Sequence, residues 1–330
     1  MNIIETLKAR AKAKQGTVVL PESGDERTLM AAAQLTREQV AKVVLVGDPS
    51  AIKHKCAGLG IPDAGWTIID PNHYGRIDEF AQFLYEKRKD KGMSLEEAES
   101  AVRNELYFGT LLVKFGIADG MVAGAANTTA DVLRAGLHVV GVMPGLKTVS
   151  STFIMVVPDY MGEQKVFFFS DCAVVPDPTA EQLADIAAST ASTRRGIMGD
   201  EPSVALLSFS TKGSAKHPLV DKVLEAKAIL DARGVDFAYD AELQLDAAIV
   251  PKVAASKAPG SPVAGHANTL IFPDLQAGNI GYKLVQRLGN AEAIGPIVQG
   301  LAAPVCDLSR GCSAADIANT AVLVLLMVQK

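Results

Sequence analysis

The chain has 330 residues, 48% of them hydrophobic and 21% charged, with a formal net charge of −5. That length and apolar content suffice for two packed domains and exclude an intrinsically disordered chain. The negative balance offers no broad basic surface for nucleic acid or an anionic bilayer, but it leaves room for a local basic pocket that holds a small anion.

The opening stretch MNIIETLKARAKAKQG lacks the long apolar core and small-residue cleavage site of a signal peptide, and the apolar run AVLVLLMV near the end is too short to span a bilayer. A cytoplasmic location is expected. Apolar, β-branched runs then follow in chain order: TVVLPES, KVVLVGD, TIID, GMVAGA, TFIMVVP, KVFFFSD, SVALLSFS and TLIFPDL. Amphipathic stretches separate most of them. This alternation predicts an α/β chain whose largely parallel sheets are covered by helices on both faces. A long helical region from about Arg76 to Phe115 is broken at Gly92 and restarts with a capping box, Ser94 with Glu97. A second strand series begins after VMPGLKTVSS, which places a domain division near residue 150. In DPTAEQLADIAASTASTRRG, Thr179 and Gln182 predict a capped helix start, Arg194 and Arg195 suit the negative end of its dipole, and Gly196 is expected to stop it.

Ligands of open parallel sheets sit at the carboxyl ends of strands, beside helix N-termini, and four such junctions are unusually polar. SFSTKGSAKHP places Ser208, Ser210, Thr211, Lys212 and Ser214 around Gly213, which reads either as a serine-rich loop or as an anion site. GAANTTADVLRAG carries Asn127, Thr128 and Thr129 before a helix with Arg134, and the bare pattern favours helix capping. FPDLQAGNIGYKLVQRL has Asp274, Gln276 and Asn279 at a glycine-rich helix start, with Lys283 one turn on; here too capping is the simpler account. PVCDLSRGCSAADIANT is the fourth. Ser313 and Asp316 make a capping box, while Ser309 and Arg310 just before a helix suit an oxyanion or a phosphate. The pattern alone leaves cap and active site both open.

No GxGxxG, P-loop, HExxH or GxSxG pattern occurs. The five histidines form no ligand pair at helical spacing. Asp240, Glu242 and Asp246 in YDAELQLDAA are read as an exposed acidic loop, with a divalent-cation site as the alternative. Cys56, Cys172, Cys306 and Cys312 show no CxxC or zinc spacing and read as free thiols. Cys172 and Cys312 lie in candidate sites, and packing is the simpler role for both. No metal and no bound cofactor are expected.

Several of these segments, in order along nearly the whole chain, resemble the phosphate acetyltransferases: LPES at 20–23 with Asp25 and Arg27 following, ADVLRAGL, SDCAVVPDPTAEQLADIA, LSFSTKGSA, FPDLQAGNIGYKLVQRL and PVCDLSRGCSAADI. The related phosphate butyryltransferases share parts of them. The resemblance implies two α/β domains around a central cleft, as in the isocitrate and isopropylmalate dehydrogenases, with the last helix returned to the first domain. The expected division is 1–150 plus 295–330 and 151–294, with the active site in the cleft and a homodimer as the assembly. The implied reaction is acetyl-CoA plus phosphate giving acetyl phosphate plus CoA, with coenzyme A as a substrate. The family's catalytic serine, arginine and aspartate fall on Ser309, Arg310 and Asp316. Its CoA- and phosphate-handling arginines fall on Arg88 and Arg134, with Arg27 a further candidate. Thr128, Thr129, Ser208, Ser210, Thr211, Lys212, Gly213, Ser214, Asn279 and Lys283 complete the expected substrate contacts.

Elementary chemistry agrees with such an assignment. Attack on acetyl phosphate by a thiol needs a proton acceptor, a stabilised oxyanion and a neutralised leaving phosphate. A thiol near 8.5 and a free aspartate near 3.9 are about 4.6 units apart, roughly 6 kcal/mol uphill for full transfer. An aspartate base therefore needs help from desolvation or from cations beside the thiolate. Two other classes compete: a metal-dependent decarboxylating dehydrogenase, which would use the acids at 240–246, and a non-catalytic CoA- or acyl-phosphate-sensing module like the C-terminal domain of large malic enzymes. Butyryl in place of acetyl is the nearest alternative substrate.

Overall fold

The computed structural model of the chain describes residues 3–62 and 65–328, which cluster into two compact units, Met1–Met143 with Leu301–Lys330, and Pro144–Gly300. The first unit runs α1 (Ile3–Lys14), β1 (Thr17–Leu20), α2 (Glu26–Arg37), β2 (Lys42–Val46), α3 (Pro49–Gly58), β3 (Thr67–Ile69), α4 (Ile77–Arg88), α5 (Leu95–Ala101), α6 (Glu105–Lys114), β4 (Gly120–Ala123) and α7 (Thr129–Val139). The second contains β5 (Ser150–Tyr160), β6 (Glu163–Ser170), α8 (Ala180–Met198), β7 (Ser203–Leu207), α9 (Pro218–Arg233), β8 (Ala238–Leu243), α10 (Leu245–Ile249), α11 (Pro251–Lys257), β9 (Thr269–Ile271), α12 (Leu275–Leu288) and β10 (Glu292–Gln299). The chain then re-enters the first unit with β11 (Val305–Asp307) and α13 (Ala314–Met327).

The first sheet is parallel throughout, in the order β11-β4-β1-β2-β3. Its strands β1, β2 and β4 are buried almost throughout on both faces, so they read as continuous apolar runs. Helix α13 is apolar almost all round and packs against α1, α2 and β4. The second sheet has the order β10-β5-β6-β9-β7-β8; its β7, β8, β9 and β6 pair in parallel, and the β10-β5-β6 end is antiparallel. Two apolar layers flank it, one around Phe153, Phe167, Phe169 and Leu270, the other around Leu183, Ile186, Leu206 and Leu230 beneath α8 and α9. No helix among the described residues is long and apolar enough to cross a membrane.

Local signals explain most boundaries. The boxes at Ser94/Glu97, Thr179/Gln182 and Ser313/Asp316 all form reciprocally. Gly92 takes a left-handed φ of 91° at the expected break, and Asn104 caps a third helix start inside the 76–115 region. Three expectations shift. Helix α8 passes through Gly196 and stops at Gly199, whose φ of 72° makes the left-handed cap. Strands β8, β10 and β11 join those anticipated. The unit boundaries fall at 143/144 and 300/301 rather than 150/151 and 294/295, because β10 continues to Gln299, which pairs with Ser150 at the start of β5.

Candidate active site

In the first unit the strand order places the carboxyl ends of β11, β4 and β1 side by side, and the loops leaving them carry the polar groups. Glu22 lies just after β1 and is 2% exposed. Its Oε2 accepts from the N–H groups of Gly124 and Ala125, at 2.9 and 2.8 Å; its Oε1 accepts from those of Ala126 and Asn127, at 3.0 and 2.8 Å, and from Asn127 Nδ2 at 2.9 Å. A buried carboxylate thus organises the whole turn after β4. Gly124 is required there: its φ is +111°, and a Cβ would lie 2.2 Å from the carbonyl oxygen of Leu308. The close approach brings the turn against the chain leaving β11.

That chain carries Asp307, Ser309 and Arg310. Asp307 is 4% exposed; its Oδ2 accepts from Thr129 Oγ1 at 2.6 Å, and its Oδ1 is buried with no hydrogen-bond partner. Burial, reinforced by the negative charge of Glu22, pushes its carboxyl up to about 6, against the opposing effect of the Thr129 hydrogen bond. Ser309 and Arg310 are exposed. Ser309 Oγ accepts from the Gly311 N–H at 3.2 Å, and its carbonyl accepts from the Cys312 N–H at 2.9 Å. Among the described residues the Ser309 hydroxyl donates to no acceptor and the Arg310 guanidinium makes no hydrogen bond. Asp316, in the first turn of α13, accepts from both Ser313 N and Ser313 Oγ at 2.8 Å, each time through Oδ2. Its Oδ1 faces no donor among the described residues. The cap therefore occupies one oxygen of the carboxylate and leaves the other without a donor among the described residues.

Arg27, at the start of α2, does not point its guanidinium at open space. All of its N–H groups have acceptors within the chain: Asp25, Ala125, Arg310 and Cys312. Arg88 and Arg134 differ. Arg88 ends α4 with its Nε buried and unpartnered, and Arg134 on α7 pairs with Asp131 at 2.6 Å. Both share the neighbourhood of Tyr107 and His138, whose hydroxyl and Nδ1 are 2.8 Å apart. Burial depresses His138 and the charges of Arg88 and Arg134 add to the effect, while burial raises the Tyr107 phenol in spite of the two arginines. Thr128 caps α7 through the Asp131 N–H, and Thr129 holds Asp307. The first unit thus carries Ser309, Arg310 and Asp316 along one loop and helix start after β11, with Thr129 tied to Asp307 at the root of that loop, and Arg88 with Arg134 around Tyr107 and His138.

In the second unit the 208–214 loop is already supplied with anions. Buried Glu242 accepts from Ser210 Oγ and the Gly213 N–H, both at 2.8 Å. Lys212 Nζ contacts Asp240 Oδ1 and donates to the Ala241 carbonyl at 2.9 Å. Thr211 N–H donates to Ser214 Oγ, and Ser210 N–H to Ser208 Oγ. The acids expected in an exposed loop are instead strand residues of β8: Asp240 is 4% and Glu242 1% exposed, because the loop's own donors compensate them. Asp246 pairs apart from them, with Lys257 at 2.9 Å. Asn279 Nδ2 donates to the Cys172 carbonyl at 3.0 Å, and Lys283 reaches back to Asn279 Oδ1. Cys172 and Cys312 are buried, and burial raises both thiols, which suits packing rather than nucleophilic attack.

Sequence reading gave Glu22, Asp307 and Tyr107 no role and took His138, with the other histidines, as structural or exposed. Glu22 and Asp307 each stand at the carboxyl end of an apolar strand, a position at which an unneutralised acid signals a built interaction.

Comparison with known proteins gives the geometry its context. A family model described as phosphate acetyl/butaryl transferase matches residues 2–325. A phosphate acetyltransferase from Thermoanaerobacterium thermosaccharolyticum is 54% identical over 320 residues, 97% of each chain. A solved phosphotransacetylase from Streptococcus pyogenes is 45% identical, covers 98% of each chain and superposes with a TM-score of 0.91. The EutD phosphotransacetylase from Staphylococcus aureus gives the same TM-score at 39% identity, covering 99% of this chain and 98% of its own.

Proposed function

The chain belongs to the phosphate acetyl/butaryl transferase family and is an acyltransferase, and on that premise we propose that it moves an acetyl group reversibly between coenzyme A and phosphate with Ser309, Arg310 and Asp316. The observation that carries this reading is the contrast between two arginines at one loop. Arg27 is saturated by the chain, whereas the Arg310 guanidinium makes no hydrogen bond among the described residues and stands beside a serine whose hydroxyl proton is also uncommitted. Such a pair is ready for a ligand that brings both oxygens and negative charge.

In the proposed step the CoA thiol gives its proton to Asp316 Oδ1 as sulfur bonds to the acetyl carbonyl carbon. The tetrahedral oxyanion accepts from the Ser309 hydroxyl, a kind of contact worth roughly 3–4 kcal/mol elsewhere. Collapse breaks the carbon–oxygen bond to phosphate, and Arg310 neutralises the departing oxygens through two parallel N–H donors. Arg88 and Arg134 are proposed to hold the phosphates of CoA, since both are cationic and Arg88 leaves a buried N–H without a partner. Thr128 and Thr129 act by fixing α7 and Asp307. In the second unit, Ser208, Asn279 and Lys283 are proposed contacts to the CoA chain. Ser210, Thr211, Lys212, Gly213 and Ser214 shape their loop around Glu242 and Asp240. The assembly is proposed to be a homodimer in the cytoplasm; sedimentation as a monomer at micromolar concentration would contradict the dimer.

The experiment that tests the reaction compares acetyl-CoA with butyryl-CoA in a phosphate-dependent CoA-release assay. Release that needs phosphate and prefers acetyl-CoA is expected. Preference for butyryl-CoA would move the substrate to the longer acyl chain, and no phosphate-dependent release would remove the reaction.

A further inference from the structure

We infer that Arg27 is a positioning residue for the Ser309–Ser313 loop rather than a ligand for phosphate or CoA. The inference rests on the proposed role of that loop in the reaction. A guanidinium has five N–H donors. In Arg27 each has an acceptor: Nε donates to Asp25 Oδ1 at 3.0 Å, Nη2 to Asp25 Oδ2 and the Ala125 carbonyl, both at 2.7 Å, and Nη1 to the carbonyls of Arg310 at 2.6 Å and Cys312 at 2.9 Å. No donor is left for an external anion.

The acceptors lie on three loops, those leaving β1, β4 and β11, whose parent strands are neighbours in the sheet. Arg27 therefore ties together the backbones that meet at the strand ends. The division of labour with Glu22 is complementary: Glu22 collects N–H groups of the turn after β4, and Arg27 collects carbonyls from that turn and from the loop after β11. Asp25 fixes the plane of the guanidinium by a two-point contact and caps α2 through the Arg27 N–H at 2.8 Å. Two of the five bonds end on the backbone of Arg310 and Cys312. They set the direction in which the Arg310 side chain leaves the loop and the height of Ser309 above β11. Lysine cannot replace this contact set, because one ammonium does not reach four carbonyl and carboxylate groups in a planar fork.

The test uses the full-length enzyme with Arg27→Lys, Arg27→Gln and Asp25→Asn, and Arg310→Lys measured alongside. Misplacing a reacting group by about 1 Å costs on the order of 10²-fold in rate. Both Arg27 variants are expected to lose turnover by about that factor, with the KM values for CoA and acetyl phosphate within about threefold of the parent. Trypsin is expected to cut the Arg310–Gly311 bond faster in both. Asp25→Asn keeps the arginine and is expected to show the same pattern more weakly; it serves if the Arg27 variants do not fold. Parental turnover, or a tenfold rise in either KM with turnover retained, would overturn the inference. If Arg310→Lys is as active as the parent, the proposed reaction site fails on its own account. The tryptic rate then decides the brace by itself: unchanged cleavage in the Arg27 variants would overturn it.

Discussion

Asp307 carries a penalty that the structure allows to be sized. Its carboxyl is held up to about 6, first by burial and then by the charge of Glu22, against an ordinary value of 3.8. The folded state therefore keeps a proton that the unfolded chain has already released. Between pH 4 and pH 6 the folded state binds more protons, so its stability falls as pH rises through this window and levels off above it. Two units and a little more at 1.36 kcal/mol each correspond to about 3 kcal/mol. Asp307→Asn keeps an oxygen to accept from Thr129 but removes the ionisation. The stability of the variant relative to the parent should thus rise by about 2 kcal/mol between pH 4.5 and pH 7.5, the remainder of the change lying at lower pH. Trp66, the single tryptophan, lies in the same unit and donates to Thr36 Oγ1, so its fluorescence follows unfolding of that unit. Urea titrations read through Trp66 at pH 4.5, 5.5, 6.5 and 7.5 give the comparison. A difference between the two proteins that stays flat across that range would refute the reasoning.

Two further outcomes follow from the arginines. Arg310→Lys substitutes a point charge for a planar fork and should lower turnover at least tenfold at saturating phosphate; near-normal phosphate saturation and turnover would move Arg310 off the substrate. His138 is depressed by burial and by the fields of Arg88 and Arg134, so an anion bound to those arginines should raise its pKa, and an NMR titration of the ring with and without saturating CoA should show the upward shift. An unchanged or lowered value would place the CoA phosphates elsewhere.

Much of the architecture is legible in the sequence because buried parallel strands announce themselves as unbroken apolar runs. The strands that escape do so for stated reasons. Strand β8 contains Asp240 and Glu242, acids whose partners include Lys212, Ser261, Ser210 and the Gly213 N–H, all distant in sequence. Strand β10 is interrupted by Gly295 and Pro296, which spoil an unbroken apolar run, and it lies at the sheet edge where proline is admissible. Of the site, Ser309, Arg310 and Asp316 are visible as a local cluster before a helix. The role of Arg27 is not, because a pattern of residue types cannot show that its acceptors are backbone carbonyls near positions 125 and 310. Likewise the loop at 208–214 has the composition of an anion site, and the anions it binds are carboxylates of its own unit.

The central claim, acetyl transfer with Asp316 as the proton acceptor, is tested most directly by the pH–rate profile of Asp316→Asn beside the parent. Asparagine keeps an oxygen for the Ser313 cap, whose complete loss would cost only about 1 kcal/mol of stability. Loss of a general base costs typically 10²–10⁴-fold in rate. The account predicts a variant with a nearly parental melting temperature, turnover reduced by a factor in that range in both directions, and loss of the acidic limb that the parent shows. Turnover within a few-fold of the parent, with the acidic limb intact, would contradict it.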